Sequence, residues 1–329
     1  MAFDNLKLDK GLYTAGKGFT QTLEDLDPSE QYRGSTLEGL DAYERQLKRF
    51  GIRVSGSASD RVEKFFRGGD TAALFPEYVA RAVRRGMKDD SVTDRFVAVT
   101  TQIEGLDYRS LSCTTGSDED LAEGDSLPET TIVTKDSLVS MHKHGYLLQT
   151  SYEALRYHRL DLFAVALSRI GADISRQILA DAVDVLINGD GNTGTAAEII
   201  YKAGTTLTYG DLLNLWTSLY PFRMTTMLAP EDVVQTILGM AEMKDSGAGQ
   251  DFHGSGTLVT PMGAELIKCN TMTGGTVIGL DKSCTLEKVE AGGIVTDFDR
   301  LIDRQFHAAG ISATVGFAKI FQGAAVYVN

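Results

Sequence analysis

Between Asp161 and Ile187 the apolar residues Phe163, Leu167, Ile170, Ile174 and Ile178 recur at steps of three and four, and Ala182 and Val185 extend the row. Arg159, Arg169, Asp173, Arg176, Asp181 and Asp184 lie off that row, and no proline occurs between Pro128 and Pro221. Thr150 and Glu153 form a T-x-x-E capping box, which predicts a helix start near Ser151. The run stops at Asn188-Gly189-Asp190-Gly191-Asn192, where Gly189 is suited to follow the helix cap. A continuous helix over 161–187 would measure roughly 40 Å at ~1.5 Å per residue. That is long for a globular helix. One apolar stripe with a charged back predicts a rod that packs on one side only.

The chain ahead of the rod has a different character. Ser117 to Glu129 reads SDEDLAEGDSLPE, with carboxylates at Asp118, Glu119, Asp120, Glu123, Asp125 and Glu129 and no base. Gly124, Ser126 and Pro128 are turn formers, so the segment is expected to be a solvated loop. TTIVT at 130–134 and LVSMHKHGYLL at 138–148, interrupted by Gly145, favour extended chain. Together they predict a two-stranded arm carrying an acidic loop, and the six carboxylates become the candidate subunit-contact residues. An ordinary hairpin on a sheet edge fits the same pattern.

Sites of catalysis or cofactor binding do not emerge. Gly189-x-Gly191-x-x-Gly194 matches G-x-G-x-x-G, but a dinucleotide site needs a strand before the motif and a helix opening at it. Here the motif follows a helix C-terminus, whose carbonyls repel phosphate. The Asp/Asn spacing does not fit an EF-hand loop either. His142 and His144 stand two apart, so on a strand they share a face and form the start of a metal site, with no third ligand evident. Cys113, Cys269 and Cys284 lack framework or zinc spacing and are expected to be reduced. Cys113 has no identifiable base to make it a nucleophile. No cofactor and no metal are expected.

Charge narrows the partners. The net charge of −13 lies wholly beyond residue 95, where 16 Lys/Arg face 29 Asp/Glu. Such a body repels phosphate unless a basic patch is local. Arg81, Arg84 and Arg85 are the nearest approach to one, and they are expected in the last turn of a helix. A sequence-reading DNA binder is therefore excluded. No apolar run approaches a membrane span, and MAFDNLKLDK lacks a signal-peptide core, so a soluble protein made in the cytoplasm is expected.

Residues 1–34 are polar and Gly-rich and read as an arm. Ser35-Thr36-Leu37-Glu38 predicts a capping box, with Leu40, Tyr43, Leu47 and Phe50 on the helix and Gly51 ending it. A second helix is predicted over 76–85. Thr208-x-x-Asp211 opens a helix bearing Leu212, Leu215, Trp216 and Leu219, and Pro230 begins another with Val233, Val234, Ile237, Leu238 and Ala241 inside. KDSGAGQDFHGSG at 244–256 reads as a mobile loop. Short strands follow (TLVT, TVIGL, TLEKV, GIVTDF), then ISATVGFAKIF and AAVYV. Separated helices and strands predict α+β rather than alternating α/β.

From about residue 70 onward, these elements together resemble the major capsid proteins of tailed bacteriophages. The resemblance rests on LFPEYVARAVRRG at 74–86, on EGDSLPETTIVTKDSLVSMHKHGYLLQTSYEAL leading to a helix that ends N-G-D-G-N, and on LTYGDLLNLW and MLAPEDVVQTI. It implies an N-terminal arm and helices over 1–95 and an extended β-hairpin loop over 96–150. It also implies a peripheral domain with a long spine helix over 151–205 and 290–329, and an axial domain over 206–289. The implied function is structural: hexamers and pentamers tiling an icosahedral shell around double-stranded DNA, without sequence specificity and without a membrane. Portal, scaffold or decoration proteins would be the other partners, with assembly in the host cytoplasm and a final place in the virion capsid. Some members crosslink a Lys to an Asn; Lys135 and Lys143 lie in the relevant region, with no Asn partner marked. An encapsulin-like compartment shares the fold and is the alternative. A metal-dependent enzyme using His142 and His144 is the lower one.

Overall fold

A computed structural model describes residues 4–13, 18–114, 127, 129–192, 194–244, 258–272, 274–301 and 306–329. In chain order the elements are α1 (Phe19–Leu26), α2 (Ala42–Arg49), α3 (Gly69–Ala72), α4 (Phe75–Asp89), β1 (Val99–Ile103), β2 (Leu111–Thr114), β3 (Thr131–Thr134) and β4 (Met141–Ser151). They continue with α5 (Tyr152–Tyr157), α6 (Leu160–Asn188), β5 (Glu198–Ile200), α7 (Tyr209–Ser218), β6 (Thr226–Ala229), α8 (Glu231–Gly239) and α9 (Ala241–Lys244). The last strands are β7 (Glu265–Lys268), β8 (Val277–Leu280), β9 (Leu286–Leu301), β10 (Phe306–Lys319) and β11 (Ala325–Val328). The α+β expectation holds. The chain divides into two compact units, one of Met1–Asp90, Lys143–Ser175 and Gly292–Ala313, the other of Ser91–His142, Arg176–Ala291 and Thr314–Asn329.

The first unit is built where α4 meets the N-terminal half of α6. A Cβ on Gly86 would stand 1.9 Å from the Ser168 carbonyl oxygen, and one on Gly171 2.1 Å from that of Val83. Two glycines facing each other let the helix backbones touch, a separation no larger residue permits. Nearer the starts of the two helices, Phe75 and Tyr78 stack, Phe65 packs tilted against both, and Tyr78 donates to the Leu160 carbonyl at 2.5 Å. Residues read as an arm are partly folded onto this core. α1 buries Phe19 and Leu23, and the Tyr13 hydroxyl donates to the Ala73 carbonyl at 2.9 Å. Arg45 is 0 % exposed. Its Nε donates to Asp27 at 2.8 Å, its Nη1 to the Leu40 carbonyl at 2.7 Å, and its guanidinium lies 4.4 Å from the Tyr32 ring centroid. A buried charge so fully partnered is tolerated, and removing either partner would strand the other.

Three local expectations are corrected here. Ser35 does not cap a helix: its hydroxyl donates to the Tyr32 carbonyl and accepts from Leu37 N, and Gly39 sits at φ 82°, so no helix can pass. The capping box is Asp41 with Glu44, each side chain bonded to the other's backbone N–H. The rod does not run unbroken from Ser151. Val62 N–H donates to the His158 carbonyl and Leu160 N–H to the Asp60 carbonyl, and these pairings separate α5 from α6. Finally, α4 extends to Asp89, so Arg81, Arg84 and Arg85 lie inside the helix rather than in its last turn.

The second unit has its core beneath a mixed five-stranded sheet of order β5-β11-β8-β6-β7. β11 runs parallel to β5 and antiparallel to β8, while β6 runs antiparallel to β8 and parallel to β7. Leu212, Leu215 and Leu219, following the Thr208–Asp211 capping box, pack with Val233, Val234 and Ile237 of α8 against Met227, Val277 and Val326. Pro230 occupies the cap position before α8.

A four-stranded sheet has the order β1-β9-β10-β4, with Val99 opposite Glu287 in parallel register. Two of the expected short strands, TLEKV and GIVTDF, merge into β9, because Gly292 and Gly293 at φ 68° and 71° carry the chain through an irregularity that other residues resist. The expected arm also differs. β3 pairs antiparallel with β2, Leu111 opposite Thr134, whereas β4 joins the four-stranded sheet beside β10. Gly145 does not interrupt β4; a Cβ there would lie 2.3 Å from the Ile311 carbonyl oxygen. Most of the loop read at 244–256 lies outside the described residues.

Candidate assembly surfaces and a buried charge cluster

The β2–β3 ribbon is short and carries its apolar side chains into solvent. Ile132 is 65 % exposed, Leu111 52 % and Val133 49 %. A two-stranded ribbon with an uncovered apolar face is marginal alone in water, and such a face marks an interaction surface. The acidic segment joins these two strands in sequence. Glu129 is exposed; Asp118, Glu119, Asp120, Glu123 and Asp125 lie outside the described residues.

The ribbon is rooted in polar contacts. Lys135 N–H donates to the Ser110 carbonyl at 2.9 Å and Val139 N–H to that of Tyr108 at 2.8 Å. The Glu287 carboxylate accepts from the hydroxyls of Ser110, of Tyr108 at 2.7 Å and of Thr101 at 2.5 Å. Beneath it, Lys135 Nζ donates to the Asp190 carboxylate and to the Lys319 carbonyl. Asp190 lies in the turn that ends α6, where Gly189, Gly191 and Gly194 have φ of 88°, 83° and 75°. Its carboxylate also accepts from Lys319 N–H at 3.0 Å and from the Asn192 backbone and side-chain amides at 3.2 and 3.1 Å. Burial raises the Asp190 carboxyl, but Lys135, Thr195 and Asn192 outweigh it and hold the group down at about 2. The G-x-G-x-x-G glycines therefore build a helix stop around a buried ion pair. The motif gave no sign that Asp190 would meet Lys135, which lies far from it in sequence.

Lys319 is the residue that sequence reasoning missed. Its side chain is 1 % exposed, and Nζ has no hydrogen-bond partner. Burial pushes its ammonium down to about 8, opposed by Asp190 and assisted by Lys135. The signal available in FAKIF was a lysine at an alternate position of an apolar strand, which resembles any edge lysine.

His142 and His144 fall on one face of β4, as expected, but a third ligand residue does exist: Asp181 of α6 joins them, with one ligand atom of each within 4.8 Å of the others. His142 Nδ1 lies 3.0 Å from Asp181 Oδ2, an imidazole–carboxylate pair at an exposed position. Cys113, Cys269 and Cys284 are free thiols. No helix among the described residues is long and apolar enough to cross a membrane.

On the first unit, Arg81 is committed internally, to Asp41 at 2.7 Å, to Glu77 at 3.0 Å and over the Tyr43 ring at 4.3 Å. Arg84 and Arg85 are exposed and carry no ion pair among the described residues. Arg85 lines a cavity of about 550 Å³ with Tyr43, Leu47, Tyr78 and Val165.

The fold is shared with particle-forming proteins. The chain matches the capsid of an empty GTA particle computed with C5 symmetry over 73 % of its own length and 89 % of the other's, at 13 % identity and a TM-score of 0.52. It matches the capsid of the native GTA particle over the same shares at 14 % identity and 0.51. A virus-like particle from Pyrococcus furiosus matches over 77 % of this chain and 98 % of the other at 11 % identity and 0.50. At such identities the likeness concerns the fold. No curated protein sequence matches the chain. The sequence itself matches the phage capsid protein family over residues 134–320, more than half of its length. The chain belongs to the phage capsid protein family and is a structural subunit of a capsid.

Proposed function

We propose that this chain is the major subunit of an icosahedral shell, assembling into hexamers and pentamers around double-stranded DNA. The observation that carries the proposal is the β2–β3 ribbon. Its exposed Leu111, Ile132 and Val133 need a cover, and a neighbouring copy supplies one in every subunit of a closed lattice. The acidic segment at 117–129 then meets the Arg84 and Arg85 face of the next subunit's α4. The expected division into N-terminal arm, extended loop, peripheral and axial domains is part of the same proposal, as is assembly in the host cytoplasm. DNA would be enclosed without sequence readout, since an acidic wall does not hold phosphate. Portal, scaffold and decoration proteins complete the partners proposed.

The test is electron microscopy of purified shells with nuclease-protected nucleic acid measured in parallel. Shells protecting DNA support the capsid reading. Shells enclosing only a folded protein cargo replace it with an encapsulin-like compartment, the alternative that shares the fold.

A further inference from the structure

His142 and His144 stand two apart on β4, so their side chains leave the same face of the strand. Asp181 of α6 meets them there. His142 Nδ1 lies 3.0 Å from Asp181 Oδ2, and one ligand atom of each of the three residues lies within 4.8 Å of the others. An imidazole–carboxylate hydrogen bond needs no third donor; the second imidazole makes the pair a set of two nitrogens and one oxygen. Ligands that hold zinc at ~2.0–2.1 Å in a tetrahedron stand about 3.3 Å apart. The His142–Asp181 pair is close to that spacing, and the third donor is within reach of a side-chain rotation. The His142 side chain is 52 % exposed, which leaves room for the rotation and a path for an ion. Both elements are regular: α6 is a helix of 29 residues, and β4 is a strand of 11 residues in the four-stranded sheet. Gly145, next to His144, lets β4 sit close against Ile311 of β10. Donors on such elements hold their geometry better than donors on loops. Ser140 Oγ lies 3.3 Å from His142 Nε2. With Nδ1 turned to a metal, Nε2 carries the proton and donates to that hydroxyl, an outer partner of the kind that orients metal-bound histidines.

We propose that His142, His144 and Asp181 bind a divalent transition cation of the zinc class, which bridges β4 and α6. Imidazole nitrogens with one carboxylate oxygen suit Zn²⁺, whereas Mg²⁺ and Ca²⁺ take sets of oxygens. Three protein ligands leave a fourth position to water. The cation strengthens a link that is otherwise one half-exposed hydrogen bond between strand and helix. The assignment is one of binding, with no reaction attached to it. It concerns the folded chain alone and does not depend on what the shell encloses.

Titration calorimetry with zinc chloride tests it, on the whole chain purified without a histidine tag, stripped with a chelator and held at pH 7 with Mg²⁺ in excess. The parent is compared with His142→Gln, His144→Gln and Asp181→Asn, each folded by circular dichroism. All three positions are at least partly exposed, so these near-isosteric changes keep the fold. His158→Gln, at an exposed histidine outside the cluster, is the control. One Zn²⁺ per chain is expected, with affinity lowered about tenfold or more in each of the three variants by loss of a ligand and unchanged in the control. Co²⁺ in place of zinc should give visible bands of a tetrahedral site with no thiolate charge-transfer band, which separates the cluster from Cys113, Cys269 and Cys284. Should one variant fail to fold, the other two and the cobalt spectrum decide. Absence of saturable zinc binding in the parent overturns the proposal. So does undiminished binding in any folded variant of the three, an equal loss in His158→Gln, or a thiolate band with cobalt.

Discussion

Gly86 and Gly171 set the spacing of the first unit's main helix contact, and both are sensitive positions. Alanine would gain about 1 kcal/mol of helix propensity over glycine. Yet its Cβ would lie 1.9 Å from the Ser168 oxygen at Gly86, so the helices must separate. Overpacking of this kind costs about 1–3 kcal/mol and outweighs the gain. Gly86→Ala is expected to lower the melting temperature, whereas alanine at Gly105, where a Cβ meets nothing within 4 Å, should not. Ile174 is 0 % exposed and lies mid-stripe on α6. Ile174→Asp should cost about 3 kcal/mol or more, read by chemical denaturation, and a wild-type midpoint would contradict the orientation of the helix. The buried charges predict a pH dependence with two windows. Asp190 has its carboxyl lowered from 3.8 to about 2, so its stabilisation is present above pH 3.8 and is lost as pH falls through 2. Lys319 is lowered from 10.5 to about 8, so stability is highest above pH 10.5 and declines as pH falls towards 8. Below pH 8 the folded state carries the buried ammonium. At pH 7, Lys319→Met should therefore be neutral or stabilising, while Asp190→Ala should cost about 3 kcal/mol by stranding Lys135.

At the scale of elements, the α6 rod was legible because one face repeats over many turns and the stop carries glycines. Leu167, Ile174, Ile178 and Ala182 are buried as the stripe predicts. From Leu179 the buried arc widens to include Val183 and Leu186, so that half of the rod is packed on more than one side. The stripe did not disclose this, since two adjacent apolar rows resemble one broad row. The capping boxes at Thr208 and Asp41 show the limits of short motifs. Both obey the same pattern as Ser35-x-x-Glu38, and only the left-handed Gly39 decides which of the latter two opens a helix. Strand partners were not legible at all. β3 and β4 adjoin in sequence but belong to different sheets, because register follows long-range burial rather than local composition. For the candidate contact site, the sequence showed the acidic segment; it did not show that Leu111, Ile132 and Val133 of the adjoining strands are uncovered. Replacing 117–129 by a Gly/Ser turn should leave circular dichroism and melting unchanged, since so acidic a stretch adds nothing to a core. Loss of the folded signal in that variant would place the segment in the core instead.

For the whole molecule, the uneven charge and the uncovered ribbon point to the same conclusion: the isolated chain is incomplete. Each exposed ion pair across a subunit boundary is worth only ~0–1 kcal/mol, but every copy repeats it. Assembly through the acidic segment and the Arg84/Arg85 face should weaken as salt rises, because screening acts on exposed pairs. Arg84→Glu with Arg85→Glu is expected to leave the subunit folded and block its assembly, since both side chains are exposed and neither has an ion pair among the described residues. On this reading the fold reaches completion only in a closed lattice of copies. Electron microscopy of the purified protein, combined with its mass in solution by light scattering and repeated with a scaffold partner present, tests that most directly. Rings or closed shells with a mass many times the 35.7 kDa of one chain are expected. A stable monomer at every concentration, even with the scaffold supplied, would contradict it.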